Sequence, residues 1–386
     1  MTVARFGLIT ASGVVLAALA LACESAAAAP PAGFTRFELT SQLQRPSTFA
    51  WLGNDILIGE KNTGRVRLLR PNGTIRPQAF LSLALSTDSE RGLLGLATDP
   101  GYPRQAFVYV YYTTGPGSKN YAGTPKNRVS RFTVREGLGQ DEQIIFDAIP
   151  SDAGNHNGGD IQFAADGTLL VSVGDGGSFP DQAQNPDSLR GKILRIQADG
   201  QIPRDNPLFK QNHGRRRAVY AFGFRNPFRF TIRPSSQATI VADVGQNDWE
   251  EIDVLQAGGN FGWNAYEGPC AQAAAVCDPS ATDFGDTQAP VHYYPHAGAG
   301  ETGSAIIGGV FSSATRYPTV YADAYFYGDF AAGWVHVLPM DSANRPGVAV
   351  EFDQLSCPVA FRLGPDGNVY VLDMCAHALY GYRFDG

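Results

Sequence analysis

Residues 159–174, Gly-Asp-Ile-Gln-Phe-Ala-Ala-Asp-Gly-Thr-Leu-Leu-Val-Ser-Val-Gly, decide the fold class of this chain. Apolar residues cluster on both sides of Asp166-Gly167, and an Asp-Gly pair supplies the positive φ that a tight β-hairpin needs. The same turn chemistry returns at Pro365-Asp366-Gly367-Asn368. We interpret each such stretch as one hairpin of a repeated β unit.

Units of this kind recur along the chain, whereas no long amphipathic helical pattern occurs. The clear copies are Ser47–Leu69, Gly92–Thr113, Gly159–Gly174, Arg229–Gly245 and Phe361–Asp373. Short strands in repeats of roughly 50 to 60 residues predict an all-β fold, a six-bladed β-propeller. A sandwich or a pair of β-domains is the alternative. Because no linker-like boundary is visible, we expect one propeller domain over residues 30–386, with an insertion near 268–302.

Composition agrees with a β-rich globular protein. The 386 residues include 44 Gly and 25 Pro, and the formal net charge is −7. Charges of both signs are interspersed, so nothing favours nucleic acid or an anionic membrane surface as a partner. No apolar run after the N-terminal segment reaches the roughly 18 residues needed to span a bilayer.

The N-terminal 29 residues are typical of an export signal. Arg5 precedes an apolar run over 7–22, and the small residues of 25–29 offer a cleavage site. We therefore expect a periplasmic or secreted protein. Cys23 follows Ala20-Leu21-Ala22, an imperfect lipoprotein box, so both a lipid anchor at Cys23 and its removal with the signal stay open.

Four cysteines remain after such a cleavage, an even number that suits an oxidising compartment. Cys270 with Cys277 would close a short loop within the predicted insertion. Cys357 with Cys375 would tie two neighbouring strands. Metal binding by these cysteines is disfavoured because no Cys-x-x-Cys spacing occurs, and the histidines show no zinc-ligand spacing.

A histidine stands in the loop that precedes the quoted hairpin, in Asn155-His156-Asn157-Gly158-Gly159-Asp160. A loop at a strand entrance can hold an imidazole open to a ligand, so His156 is our candidate general base. Alternatively, it is a loop histidine that caps a turn. Since the loops of all blades meet at the ends of a propeller's channel, residues distant in sequence can complete a site around it.

Three further polar, glycine-rich motifs begin or end strand-like runs. They are Glu90-Arg91-Gly92-Leu93-Leu94-Gly95, Gly223-Phe224-Arg225-Asn226-Pro227 and Asp243-Val244-Gly245-Gln246-Asn247, the last followed by Trp249-Glu250-Glu251-Ile252. Together with the His156 loop they resemble the glucose/sorbosone dehydrogenase family, soluble six-bladed propellers that bind pyrroloquinoline quinone (PQQ) with calcium. The resemblance runs from about Ser47 to Asp373 and is densest over 155–263.

The resemblance implies a role for each motif. His156 matches the base that takes a proton from a sugar hydroxyl, and Arg225 matches the arginine beside quinone and substrate. Asn226 matches an amide that contacts the cofactor. Gly245 and Gln246 match the positions whose backbone carbonyls hold Ca²⁺, a cation that prefers oxygen ligands. Structural readings remain for Arg225 as a clamp, for Asn226 as a turn residue and for Gly245 as a strand exit.

The departures from the family pattern concern the three carboxylates of PQQ. Sugar-oxidising members hold them with a lysine and two arginines near the C-terminus, but this chain has Ala331 and Ala332 in the lysine region and Cys357 and Val359 at the arginine positions. Glu90 and Val244 replace glutamines. These changes resemble a second branch that includes hedgehog-interacting-protein-like extracellular propellers. Glu90 would contact the cofactor, and Arg91 or Arg362 would supply replacement charge.

The sequence therefore predicts a PQQ-dependent aldose dehydrogenase with a sugar substrate and a quinone or small redox carrier as electron acceptor. A non-enzymatic, calcium-stabilised binding propeller is the alternative. A calcium-dependent propeller hydrolase is a third reading, because a bound ion can polarise a carbonyl.

Overall fold

Twenty-six strands, one short α-helix and two 3₁₀ helices make up the described part of the chain in this computed structural model. The described residues are 29–272, 277 and 284–386. The predicted signal segment and Cys23 lie outside them. The first strand, β1 (Phe34–Thr40), belongs to the last sheet, and the other strands follow in chain order.

Six four-stranded antiparallel sheets form the blades of a propeller, which confirms the predicted fold class. Blade 1 consists of β2 (Pro46–Leu52), β3 (Asp55–Glu60), β4 (Arg65–Leu69) and β5 (Leu81–Ser82). Blade 2 consists of β6 (Leu93–Thr98), β7 (Phe107–Thr113), β8 (Lys126–Arg135) and β9 (Leu138–Pro150). Blade 3 consists of β10 (Ile161–Phe163), β11 (Leu169–Val173), β12 (Lys192–Ile196) and β13 (Val219–Phe222).

The remaining blades follow the same order. Blade 4 consists of β14 (Pro227–Ile232), β15 (Thr239–Asp243), β16 (Trp249–Val254) and β19 (His292–Pro295), and the pair β17 (Tyr266–Glu267) and β18 (Cys270–Ala271) lies between its last two strands. Blade 5 consists of β20 (Ile306–Phe311), β21 (Tyr325–Asp329), β22 (Trp334–Leu338) and β23 (Val350–Gln354). Blade 6 consists of β24 (Pro358–Leu363), β25 (Val369–Asp373), β26 (Ala378–Phe384) and β1. Helix α1 (Asp181–Gln184) and the 3₁₀ turns Gly214–Ala218 and Thr319–Tyr321 lie in links.

Pairing of β1 with β26 closes the ring, from Phe34 opposite Phe384 to Thr40 opposite Leu379. The chain's first strand is thus the outer strand of its last blade. The predicted insertion near 268–302 is not wholly an addition to the propeller. It contains β19, which is the outer strand of blade 4.

The core is divided among the interfaces between neighbouring blades. Each interface carries one cluster of buried apolar side chains, for example Leu57 with Leu96 between blades 1 and 2 and Phe230 with Ala221 between blades 3 and 4. Alternation along each strand sends side chains to both neighbours, which explains why the central strands of a blade read as almost continuously apolar.

Both predicted disulfides are present. Cys270 pairs with Cys277 beside β18, and Cys357 pairs with Cys375, joining the residue before β24 to a residue just after β25. None of the helices in the described ranges has the length and apolar character needed to cross a bilayer.

Candidate active site at one face of the propeller

The predicted site residues lie at one face of the ring because of the up-and-down order of the strands. The chain enters the first strand of each blade at this face and leaves the second strand there. Glu90, His156 and Arg225 precede first strands, whereas Gly245 and Gln246 follow a second strand. The fold therefore gathers four motifs that are separated by up to 156 residues.

His156 is held by a buried carboxylate that the sequence reading missed. Its Nδ1 lies 2.7 Å from Oδ1 of Asp175, and the His156 side chain is 10% exposed. Asp175 also accepts hydrogen bonds from the backbone N–H of Gly177 and from Nε1 of Trp263, at 2.7 and 2.8 Å. Since a carboxylate fixes the hydrogen on Nδ1, Nε2 is the ring nitrogen available to accept a proton.

Burial alone would raise the pKa of Asp175, but the hydrogen bond and charge of His156 hold it below its usual value. Asp175 is consequently a carboxylate at neutral pH and accepts the Nδ1–H of the imidazole. This is the arrangement that a general base needs when it takes up a proton.

The backbone of the His156 loop has little freedom. His156 has φ of 50°, in the left-handed region, and its N–H donates to Oε2 of Glu90 at 2.7 Å. Its carbonyl packs against Gly174, where an added Cβ would lie 2.2 Å from that oxygen. Gly174 therefore permits a close approach that any other residue would block.

Asp243 fixes the backbone of Arg225 and Asn226. The Asp243 carboxylate accepts both backbone N–H groups, at 2.8 and 2.6 Å. Burial raises the pKa of Asp243 to about 7, although these two hydrogen bonds oppose the rise. The Asn226 side chain in turn accepts the N–H of Gly158 at 3.0 Å, so the amide ties the arginine motif to the histidine loop.

The guanidinium of Arg225 lies beside the Trp263 ring, whose Nε1 donates to Asp175. Its centre lies 5.6 Å from the Trp263 ring centroid, Nε donates to Oε1 of Gln246 at 2.9 Å, and Nη1 donates to the Val244 carbonyl at 2.9 Å. His156, Asp175, Trp263, Arg225 and Gln246 thus form one connected cluster.

The loop after β15 offers unengaged carbonyl oxygens. Four successive backbone N–H groups, from Gln246 to Trp249, point to one oxygen of Glu267, at 2.7 to 3.3 Å. With the amides turned to that carboxylate, the Gly245 and Gln246 carbonyls accept no hydrogen bond from the described residues. Two such oxygens suit Ca²⁺ as partial ligands. Among the described residues, no group of three or more His, Cys, Asp or Glu side chains is arranged to hold a metal ion, so a bound ligand would have to complete the set.

Glu90 and Arg91 hold the histidine loop. Besides the Glu90 contact, Arg91 donates through Nη2 to the carbonyls of Ser151, Asp152 and Ala153 at 2.6, 3.0 and 3.1 Å, and the residue is 8% exposed. Arg362 is likewise engaged, with Nη2 2.7 Å from Oδ1 of Asp160. Both guanidinium groups donate to acceptors of the protein itself, whereas a replacement for the cofactor clasp would have to donate to the cofactor's carboxylates. The geometry therefore gives Arg91 the role of positioning the loop that carries His156.

The positions of the missing clasp have structural occupants. Ala331 and Ala332 donate their N–H groups to Oδ1 of Asp329, Cys357 is in a disulfide, and Val359 is buried in the core. Blade 1, which is next to blade 6 in the ring, instead brings two cationic side chains to this face, Lys61 and Arg45. Lys61 follows β3, donates to the Ser89 carbonyl at 2.7 Å and lies within the electrostatic field of Glu90 and of Arg45, an exposed residue at the entrance of blade 1.

A recess of about 410 Å³ borders the other side of the 246–249 loop. Asp248, Glu267, Gln272 and His296 are among its lining residues, but His156 and Arg225 are not. The recess is therefore adjacent to the cluster without containing the candidate base.

A closed propeller thus carries a carboxylate-held histidine and an arginine at one face, and comparison with known sequences assigns the class of protein. The chain belongs to the glucose/sorbosone dehydrogenase family, whose sequence model, Glucose / Sorbosone dehydrogenase, matches residues 43–378. The uncharacterized protein slr1608 of Synechocystis is 31% identical over 355 residues, 86% of this chain and 81% of that protein.

Other similar proteins differ in their described activities. The aldose sugar dehydrogenase YliI of Escherichia coli is 28% identical over 73% of this chain and 74% of its own length. Human hedgehog-interacting protein is 28% identical over 50% of this chain and 31% of its own length. The PQQ-bound form of an aldose sugar dehydrogenase from Streptomyces coelicolor superposes with a TM-score of 0.72 at 20% identity, covering 92% of this chain and 99% of that one, which supports the fold.

Proposed function

We propose that this protein is a periplasmic or secreted PQQ-dependent sugar dehydrogenase that oxidises the anomeric carbon of an aldose to a lactone. The pairing of His156 with Asp175 beside Arg225 carries the proposal, because a buried base with a fixed tautomer is what removal of a hydroxyl proton requires. When bound, PQQ with Ca²⁺ would supply the hydride acceptor, and a quinone or small redox carrier would then take the electrons.

In this proposal Nε2 of His156 accepts the proton of the anomeric hydroxyl as the C–H bond breaks. Asp175 stabilises the resulting imidazolium and keeps the ring oriented. The fixed positive charge of Arg225, held beside the ring of Trp263, stabilises negative charge that develops nearby. Asn226 and the Gly245 and Gln246 carbonyls would contact cofactor and calcium.

The cofactor's carboxylates need cations, and in this chain blade 1 supplies the candidates. Lys61 is 7% exposed, and burial lowers the pKa of its ammonium, with the charge of Arg45 adding to the effect and that of Glu90 opposing it. A carboxylate placed beside Lys61 and Arg45 would relieve both the desolvation and the repulsion. We infer that these two residues take over the role of the missing C-terminal clasp.

An equilibrium titration of the purified mature protein with PQQ, with and without Ca²⁺, tests this assignment. We expect calcium-dependent, saturable binding, followed by reduction of the bound quinone when an aldose is added. Lys61→Met should weaken PQQ binding about 10-fold or more, because an uncompensated buried anion is costly. Lys210→Met, an exposed lysine in the link between β12 and β13, is the matched control.

The outcomes of that titration separate the ideas. Binding by the wild type with unchanged affinity in the Lys61 variant contradicts the blade 1 clasp alone. No binding at tens of micromolar PQQ contradicts the dehydrogenase assignment itself.

A calcium-stabilised extracellular binding module is the second candidate. The observation that favours it is the disulfide and the buried valine at the clasp positions, together with the similarity to hedgehog-interacting protein. In that case the four motifs would serve blade packing, and substitutions in them would change stability without affecting any turnover.

A further inference from the structure

Two arginines reach across the central channel and link blades on opposite sides of the ring. Arg229 on β14 of blade 4 donates through Nη2 to the Ser47 carbonyl on β2 of blade 1, at 2.8 Å. Arg362 on β24 of blade 6 donates to Asp160, which directly precedes β10 of blade 3, at 2.7 Å. Two guanidinium groups therefore cross the channel.

Among the described residues Arg229 has no carboxylate partner, although it is one of their most buried side chains. The residue is 2% exposed, and its bonded partners are the carbonyls of Phe228 and Ser47. The Nε–H group is buried and lacks a hydrogen-bond partner among the described residues. Burial lowers the pKa of Arg229 to about 10, which still leaves it charged at neutral pH.

Asp160 is the carboxylate whose charge reaches Arg229, but its oxygens are already engaged. One oxygen accepts from Arg362 and from the N–H of Ile161, and the other accepts from Gln162 and from the N–H of Phe230. Two guanidinium groups and one carboxylate leave one positive charge without a counter-ion among the described residues, and only the ring of Phe228, 4.2 Å from the centre of the Arg229 guanidinium, offers it partial compensation. Burying such a charge without a counter-ion is strongly unfavourable.

We propose that a small monovalent inorganic anion of the chloride class binds in the channel against the Nε–H of Arg229. A water molecule could satisfy the unpartnered donor, but only an anion satisfies the donor and the charge together. The anion would thus stabilise the contact between blades 4 and 1.

Bromide, which replaces chloride and scatters anomalously, is the direct probe. Crystals of the mature wild-type protein grown in sodium bromide, measured at the bromine absorption edge, should show an anomalous peak at Nε of Arg229. Density without an anomalous signal at that place would mean a water molecule and would overturn the proposal.

Thermal unfolding gives the corresponding test in solution. At constant ionic strength, replacing gluconate by chloride should raise the wild-type Tm along a saturation curve, by about 3 °C. Arg229→Met should remove this increment. Arg233→Met is the matched control, because Arg233 is equally buried just after the same strand but is paired with Asp323, and it should keep the increment. An increment that persists in Arg229→Met contradicts the anion site, and the crystal test stands even if this variant fails to fold.

Discussion

At the scale of single residues, the pair of His156 and Asp175 decides whether the site can do chemistry. His156→Gln should lower kcat by about 10²- to 10⁴-fold and leave the Kd for PQQ nearly unchanged, because a base acts in the reaction and not in cofactor binding. Asp175→Asn keeps the shape but removes the charge, so we expect kcat to fall at least about 10-fold, also with little change in Kd. Stopped-flow reduction of the quinone and equilibrium titration measure the two quantities separately. Equal losses of kcat and of binding would show that the histidine is a structural residue.

Asp253 is a second residue whose environment is decisive, this time for stability. Both of its carboxylate oxygens are buried and without partners among the described residues. Burial, and then the charge of Asp243, raise its pKa well above the usual value. The folded protein therefore keeps a proton that the unfolded chain releases above a pH of about 4, so this group's contribution to stability is lost as pH rises beyond that value.

Asp253→Asn should remove this dependence. Relative to the wild type, the variant should gain up to about 1.4 kcal/mol in free energy of unfolding for each pH unit above about 4 through which the folded protein keeps this proton. Urea unfolding at four pH values measures the slopes, with the exposed Glu351→Gln as control. Parallel pH profiles for the variant and the wild type would contradict a protonated Asp253.

At the scale of elements, the histidine loop depends on a guanidinium outside it. Arg91 binds three consecutive carbonyls of 151–153 and so fixes the segment that leads to His156. Arg91→Ala should lower the free energy of unfolding by about 1–3 kcal/mol, since buried acceptors lose their donor, and should reduce kcat more than PQQ affinity. Denaturant unfolding with kinetics checks this, and Arg135→Ala, an exposed arginine paired with Asp141, is the control. A loss of PQQ affinity without loss of stability would instead return Arg91 to the role of a direct cofactor ligand.

At the scale of the whole molecule, the repeat and its blade count followed from local signals. Asp-Gly turns and short alternating strands are visible in contiguous residues. The two disulfides could also be predicted, because their cysteines are only 7 and 18 positions apart. That residues distant in sequence can meet at one end of the channel followed from the propeller fold, whereas the role given to Arg225 beside His156 followed from the family resemblance. Asp175 and Glu267 escaped the sequence reading, because an acidic residue in a glycine-rich strand exit looks like turn chemistry until its distant partner is known. The roles of Arg91 and Arg362 depend on contacts with residues 60 and 202 positions away, which spacing does not reveal.

The pairing of β1 with β26 also determines when, during synthesis of the chain, the ring can close. Strand β1 is synthesised first among the strands of the described residues, whereas β26, the strand with which it pairs, is synthesised last. Until the final residues emerge, β1 presents an open edge to other chains, a template for aggregation. Closure of the ring at blade 6 therefore requires synthesis through β26, and a chain that stops before β26 is left with an exposed strand that is open to proteolysis.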